Sequence, residues 1–141
     1  MKRLVLDSSI LVAGLRSRTG ASNALLMRAA QGRFRPLCTT ALFLEYEAVL
    51  CRAENRLAHG LGEAAIAAFL AAFAATAEPV ELHFLWRPQL QDAADEMVLE
   101  AAVNGRADAI VTHNLRDFAA ATAKFGIAVM PPAQMLKEFA P

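Results

Sequence analysis

Short apolar segments alternate with helix-forming segments along this chain, and this alternation constrains the fold more than any other feature. The predicted strands are residues 4–6, 34–38, 80–85, 109–112 and 127–130. The predicted helices are residues 10–15, 24–30, 40–52, 62–77, 93–105, 117–125 and 132–139. Strands that alternate with helices form a parallel sheet covered on both faces. We therefore predict an α/β fold, with Ser22 and Asp92 as helix N-caps.

Length and composition indicate one domain that spans residues 1–141. Hydrophobic residues make up 56% of the chain, which is enough for a single core. Lys plus Arg equals Asp plus Glu at 14 each, so net charge predicts no general attraction to nucleic acid. A polyanion would have to be held locally. Three small arginine clusters are available for this: Arg16 with Arg18, Arg28 with Arg33 and Arg35, and Arg52 with Arg56.

The compartment is predicted from the lack of a secretory signal and of a membrane-spanning segment in the sequence. The opening MKRLVLDSS has neither the long apolar segment nor the cleavage site of a secretory signal, so we expect a cytoplasmic protein. The longest nearly apolar run, residues 64–77, is shorter than the roughly 20 residues of a membrane span. We interpret it as a packed helix. Cys38 and Cys51 lack a zinc-type spacing and are predicted to be buried thiols.

Acidic and polar side chains follow two of the predicted strands. Asp7 comes directly after the first strand, and the segment THNLRD, residues 112–117, follows the fourth. This segment contains Thr112, Asn114 and Asp117. Parallel sheets bind ligands at the carboxyl ends of their strands, near the point where strand order reverses. We therefore expect these groups at one edge of the sheet, although Asp7 and Asp117 could equally be helix N-caps.

Two further carboxylates lie on predicted helices and face inward by angular position. Glu45 falls only about 40° from Val49 at about 100° per residue, whereas Glu47 projects further out. A glutamate on the core side of a helix is costly unless it is paired or binds a metal. By the same angular count, Asp95 falls between Leu99 and Ala102 on the inward face of its helix. Glu96 and Glu100 on the same helix are predicted to turn toward the rim.

Together, Asp7, Glu45, Asp95 and Asp117 predict a cation site. Two carboxylates about 6 Å apart repel by roughly 3 kcal/mol at an effective dielectric near 20, and a cation relieves that repulsion. Hard oxygen ligands select Mg²⁺ or Mn²⁺ rather than zinc. Such a site can activate water for attack on a phosphodiester without a protein nucleophile.

Three stretches resemble the PIN-domain family in content and order: LVLDSSILVAGL, then LEYEAVLCR, then DAADEMVLEAAVNGRADAIVTHNLRDF. The resemblance covers nearly the whole chain. It implies a three-layer α/β/α sandwich around a mostly parallel sheet of four or five strands. It also implies metal-dependent ribonuclease activity and service as the toxin of a toxin–antitoxin pair, as in VapC-like proteins.

Carried onto this sequence, the resemblance makes Asp7, Glu45, Asp95 and Asp117 the catalytic metal ligands. Many family members have an aspartate where Asn114 stands, and the amide adds no negative charge. The polar pair after the first aspartate is Ser8 and Ser9, which can still hydrogen-bond Asp7 or a substrate phosphate. Thr112 completes this supporting group.

Other functions fit the acidic residues less well. A phosphoacceptor receiver domain would need a lysine after the fifth strand, where Met130 and two prolines stand, and an acidic pair beside Asp7. A haloacid-dehalogenase-type phosphatase would need an aspartate where Ser9 stands. The alternative that stays open is a PIN-like domain that has lost catalysis and binds RNA or a protein.

The expected partners are an RNA substrate, a cognate antitoxin and a second copy of the chain in a homodimer. The antitoxin and the homodimer follow from the resemblance. Aromatic side chains could stack on unpaired bases, although core packing is their commoner role. The candidates for stacking are Phe34, Tyr46, Phe84 and Trp86.

Overall fold

A five-stranded sheet, with every neighbouring pair of strands parallel, organises the chain in the computed structural model, which describes residues 1–83 and 89–139 apart from the side chain of Ala121. The strands are β1 (Arg3–Leu6), β2 (Arg35–Cys38), β3 (Glu78–Pro79), β4 (Ala109–Val111) and β5 (Ala128–Met130). Their order across the sheet is β3-β2-β1-β4-β5. From β1, the chain adds β2 and β3 on one side and then β4 and β5 on the other side. The strand order therefore reverses between β1 and β4, which is the switch point of the sheet.

The described residues form eight helices that flank the sheet. They are α1 (Ser8–Arg16), α2 (Ala21–Ala30), α3 (Thr40–Cys51), α4 (Ala53–His59), α5 (Glu63–Thr76), α6 (Ala93–Gly105), α7 (Leu115–Phe125) and α8 (Pro132–Leu136). This arrangement confirms the predicted three-layer α/β fold. No single helix of the described chain is long and apolar enough to cross a membrane, and α4 with α5 reaches that length only across an 83° bend.

The core lies around the central strand. Leu4, Val5 and Leu6 are all fully buried, because β1 is paired on both edges and covered by helices. Each such side chain contributes about 1.5–3 kcal/mol through removal from water. For this reason β1 is a continuous apolar run, and the run stops at Asp7, at the carboxyl edge of the sheet.

Several sequence predictions about individual elements were wrong. The predicted strand at residues 80–85 is not formed at 80–83; the pairing is made two residues earlier, at Glu78–Pro79, and residues 84 and 85 lie outside the described chain. Ser22 is inside α2, whose N-cap is Gly20. Helix α4 was not predicted, because its side chains are almost all exposed and give no apolar stripe. Cys51 is exposed, whereas Cys38 is buried and burial raises the pKa of its thiol to about 12.

Candidate active site

The acidic cleft lies at the carboxyl edge of the sheet, where β1 and β4 end. It has a volume of about 500 Å³ and is bordered by the start of α1, the inner face of α3, the start of α6 and the loop after β4. Among its lining residues are Asp7, Glu45 and Asp95. The structure thus brings together three of the four carboxylates that the sequence predicted, from positions far apart in the chain.

Asp7 is the most buried of these carboxylates, with 4% of its surface exposed. It occupies the N-cap position of α1, but its side chain does not cap the helix. Instead, Oδ2 accepts hydrogen bonds from Ser9 Oγ at 2.8 Å and from Thr112 Oγ1 at 2.7 Å. Oδ1 accepts none from the described residues. One oxygen of Asp7 is therefore fixed by the protein and the other remains available to a ligand.

Thr112 links Asp7 to the loop after β4. Its hydroxyl donates to Asp7 and accepts a hydrogen bond from the backbone N–H of Asn114 at 2.9 Å. Thr112 itself is fully buried. A single hydroxyl therefore bridges the Asp7 carboxylate and the loop that carries Asn114, which also lines the cleft.

Glu45 reaches the cleft because α3 is anchored on the end of β1. The adjacent Tyr46 is fully buried, and its hydroxyl donates to the carbonyl oxygen of Leu6 at 2.5 Å. Burial raises the pKa of Tyr46 well above its ordinary value, so the hydroxyl keeps its proton. Glu45 forms an ion pair with Arg52 at 3.8 Å, and its side chain is 16% exposed, while Glu47 points to solvent.

Asp95 lies in the first turn of α6, where Asp92 acts as N-cap by accepting a hydrogen bond from the backbone N–H of Ala94 at 2.8 Å. This confirms the predicted cap. Burial, and after it the nearby carboxylates of Asp7, Asp92, Asp117 and Glu96, raises the pKa of Asp95 to about 6. The site therefore holds negative charge that the protein leaves only partly compensated.

Asp117 lies beside the cleft rather than in it. The predicted N-cap position was wrong: α7 begins at Leu115, its N-cap is Asn114, and Asp117 is exposed in the first turn. Asp117 lines a neighbouring depression together with Arg116, Asp92 and Asp95. It is close enough to raise the pKa of Asp95, so the two sites are electrostatically connected.

The predicted outward orientation of Glu96 and Glu100 was also wrong. Both are buried, with 4% and 6% of their surface exposed. Glu96 Oε1 accepts hydrogen bonds from the backbone N–H groups of Gln89 and Leu90, the latter at 2.6 Å. Backbone donors offset the cost of burying a carboxylate. Glu96 thereby holds the segment that leads into Asp92.

Sequence reasoning did not identify His113 as a cleft residue. Its Nε2 lies 2.9 Å from the hydroxyl of Ser22, which is buried inside α2. This contact spans 91 positions, and no local pattern signals it. The stacking role proposed for Phe34 and Tyr46 was wrong, since both are buried in the core, and Phe84 and Trp86 lie outside the described residues.

The donor set has the chemistry of a hard-cation site. Within residues 1–83 and 89–139, no three His, Cys, Asp or Glu side chains lie close enough together to enclose a metal ion. Magnesium, however, usually keeps several waters and is held by one or two carboxylates together with substrate phosphates. The free oxygen of Asp7 and the half-buried Asp95 fit a hydrated cation of this type.

These features define a parallel α/β protein with a carboxylate-lined cleft at the switch point of its sheet. A family model for the PIN domain matches residues 3–116, and the chain belongs to the PIN-domain family. Proteins of this family are generally nucleases, and they generally use divalent metals. A search of the curated proteins found no match.

Proposed function

We propose that this protein is a divalent-metal-dependent endoribonuclease that serves as the toxin of a toxin–antitoxin pair. The proposal rests mainly on one observation: Asp7 follows the central strand in a cleft shared with Glu45 and Asp95, and the pKa of Asp95 is raised by burial and by the surrounding carboxylates. Excess negative charge is costly unless a cation is bound. Family membership connects such a cation to phosphodiester hydrolysis.

Asp7, Glu45, Asp95 and Asp117 are the proposed ligands of Mg²⁺ or Mn²⁺. When bound, the metal supplies water activation and stabilisation of the leaving oxygen. Ser9 and Thr112 orient Asp7 by holding one of its oxygens. Ser8 and Asn114 also line the cleft, which supports a role for them in hydrogen-bonding a substrate phosphate or a water. The chain thus orients the substrate and the carboxylates around the scissile bond.

The proposal is tested by cleavage of a mixed pool of structured and single-stranded RNA with Mg²⁺ or Mn²⁺, with a matched DNA pool in parallel. We expect wild type to cut RNA, and Asp7→Asn, Glu45→Gln or added EDTA to abolish cutting. Glu47→Gln is the matched control, because it removes an exposed charge from the same helix. Cleavage that persists in EDTA or in Asp7→Asn would overturn the proposal, and preference for DNA would change its substrate.

One observation favours a second candidate, a PIN domain that binds RNA without cutting it. Asn114 stands in the cleft in place of the family's frequent fourth aspartate, and Asp117 lies in the neighbouring depression. This arrangement weakens metal binding if the fourth carboxylate is essential. Calorimetric titration with Mn²⁺ separates the two candidates: binding that disappears in Asp7→Asn supports the nuclease, and RNA binding without metal binding supports the module.

The proposed protein partners are a cognate antitoxin and a second copy of the chain. Large apolar side chains on the second, third and fourth helices remain exposed and offer contact area: Met27, Leu44 and Leu57. Light scattering tests the homodimer, and a purely monomeric mass would contradict it. Coexpression with the product of the adjacent gene tests the antitoxin, which should bind the chain and relieve toxicity.

A further inference from the structure

The acidic cleft has basic residues at one part of its border. Arg16 is the last residue of α1, and Arg52 lies at the junction where α3 ends and α4 begins. Both line the cleft. Because α1 packs against α3 and α4, both arginines lie on the side of the cleft that these three helices form. Asp92 and Asp95 enter from a different element, the start of α6.

The backbone fixes this basic border. The side-chain amide of Asn55 donates to the carbonyl oxygen of Val49 at 2.7 Å, which ties the first turn of α4 to the last turn of α3. The carbonyl oxygen of Arg52 accepts from the backbone N–H groups of Asn55 and Arg56. Arg52 is therefore held at a defined corner, although its side chain remains 55% exposed.

The internal contacts of these arginines do not account for their position. In the parts of the chain that the structure describes, Arg16 forms no ion pair. Arg52 pairs with Glu45 at 3.8 Å, but exposed ion pairs contribute little to stability. A guanidinium presents five N–H donors in a fork that matches phosphate oxygens, so a single carboxylate leaves most of them free.

We propose that Arg16 and Arg52 form a phosphate subsite, which binds a phosphate of single-stranded RNA next to the phosphate that is cut. The inference rests on the proposed nuclease function and deepens it by naming how the strand is held. The carboxylates at the start of α6, Asp92 and Asp95, repel a phosphate chain, whereas the arginines attract it. We therefore expect the neighbouring phosphate to lie on the side of the cleft formed by α1, α3 and α4.

The first test measures binding without cleavage. Fluorescence anisotropy of a short labelled oligouridylate in EDTA is recorded at several salt concentrations. Arg16→Gln and Arg52→Gln should each weaken binding by about fivefold and lower the slope of log K against log salt by about 0.7, the value for one phosphate contact on a single strand. Arg52→Lys should restore the slope, because it restores the charge.

Two controls separate a local subsite from general attraction. Arg18→Gln removes the same charge two residues from Arg16 and outside the cleft lining, and Arg106→Gln removes it at the C-cap of α6, at the opposite edge of the sheet. Both should bind like wild type. Equal losses in all four variants, or no binding by wild type, would overturn the subsite.

The second test uses bis(p-nitrophenyl) phosphate, a diester with no neighbouring phosphate. With Mn²⁺, Arg16→Gln should raise the KM for RNA about fivefold and should lose less activity on this diester than on RNA. An equal loss on both substrates would place Arg16 in the metal site and overturn the subsite. If wild type hydrolyses neither substrate, the nuclease proposal fails, and the anisotropy measurements still decide the subsite.

Discussion

Asp7 and Asp95 border the same cleft, but the fold holds their carboxylates in different ways. Asp7 follows the central strand, is 4% exposed and receives two hydroxyl hydrogen bonds. Asp95 lies half-buried in the first turn of a helix, and its pKa is raised to about 6 by burial and by neighbouring carboxylates. The β1 end of the cleft, around Asp7, is thus held by hydrogen bonds and is called the built end. At the α6 end, around Asp95, burial and neighbouring carboxylates disfavour the charged form, and this is called the strained end.

Among the changes that compare the two ends of the cleft, the largest effect is expected for Thr112→Val, which tests the built end. The substitution keeps the shape but removes the donor to Asp7 and the acceptor for the Asn114 N–H. Groups that orient metal ligands are typically worth 10–100-fold, so we expect RNA cleavage to fall by about that factor. The unpaired groups should also cost about 1–3 kcal/mol of unfolding free energy. Steady-state kinetics and urea unfolding measure the two effects.

Ser9→Ala is the comparison for this variant, because Asp7 keeps its bond to Thr112. We expect a smaller loss on both measures. Full activity in Thr112→Val would show that the buried hydroxyl does not position Asp7, and the contrast between the two ends of the cleft would disappear.

On the proposed function, metal addition should stabilise the protein, since a bound cation would offset the negative charge around Asp95. A ligand that binds only the folded state stabilises it by about 2.7 kcal/mol at 100 times its Kd. Urea unfolding with increasing Mg²⁺ measures this gain. We expect Asp7→Asn to lose the gain and Asp108→Asn to keep it, because Asp108 accepts its hydrogen bond from the backbone N–H of Arg3 at the opposite edge of the sheet. Equal stabilisation of both variants would indicate that Mg²⁺ binds elsewhere.

The sequence predicted the built end of the cleft better than the strained end. Two local patterns predicted it: the apolar run that stops at Asp7, and the angular position of Glu45 on its helix. The inward position of Glu96 is different, because its donors come from the irregular backbone at Gln89 and Leu90. The contact of Ser22 with His113 likewise joins elements that only the fold brings together. Angular position on one helix does not report what packs against it.

A smaller effect of opposite sign is expected for Asp95→Asn in EDTA. The amide keeps the shape of the side chain and removes the charge that burial and neighbouring carboxylates disfavour. After allowance for solvent screening, the variant should be more stable than wild type by about 1 kcal/mol. Urea unfolding at neutral pH measures it, with Glu47→Gln as the exposed control. Destabilisation by Asp95→Asn would mean that this end of the cleft is not strained.

The stability difference between Asp95→Asn and wild type should shrink as the pH falls, which is the smallest effect and the sharpest test of its cause. The pKa of Asp95 is raised from 3.8 to about 6, so the folded state takes up a proton before the unfolded state does. Above about pH 6, the charged Asp95 carboxylate destabilises wild type to its full extent. As the pH falls from about 6 to about 4, the folded state binds a proton that the unfolded state does not, and this destabilisation is lost. The difference of about 1 kcal/mol should therefore vanish near pH 4 in EDTA. A difference that stays constant across this window would assign the stabilisation to packing of the amide instead of relief of charge. Charge repulsion would then play no part in the stability of this end of the cleft.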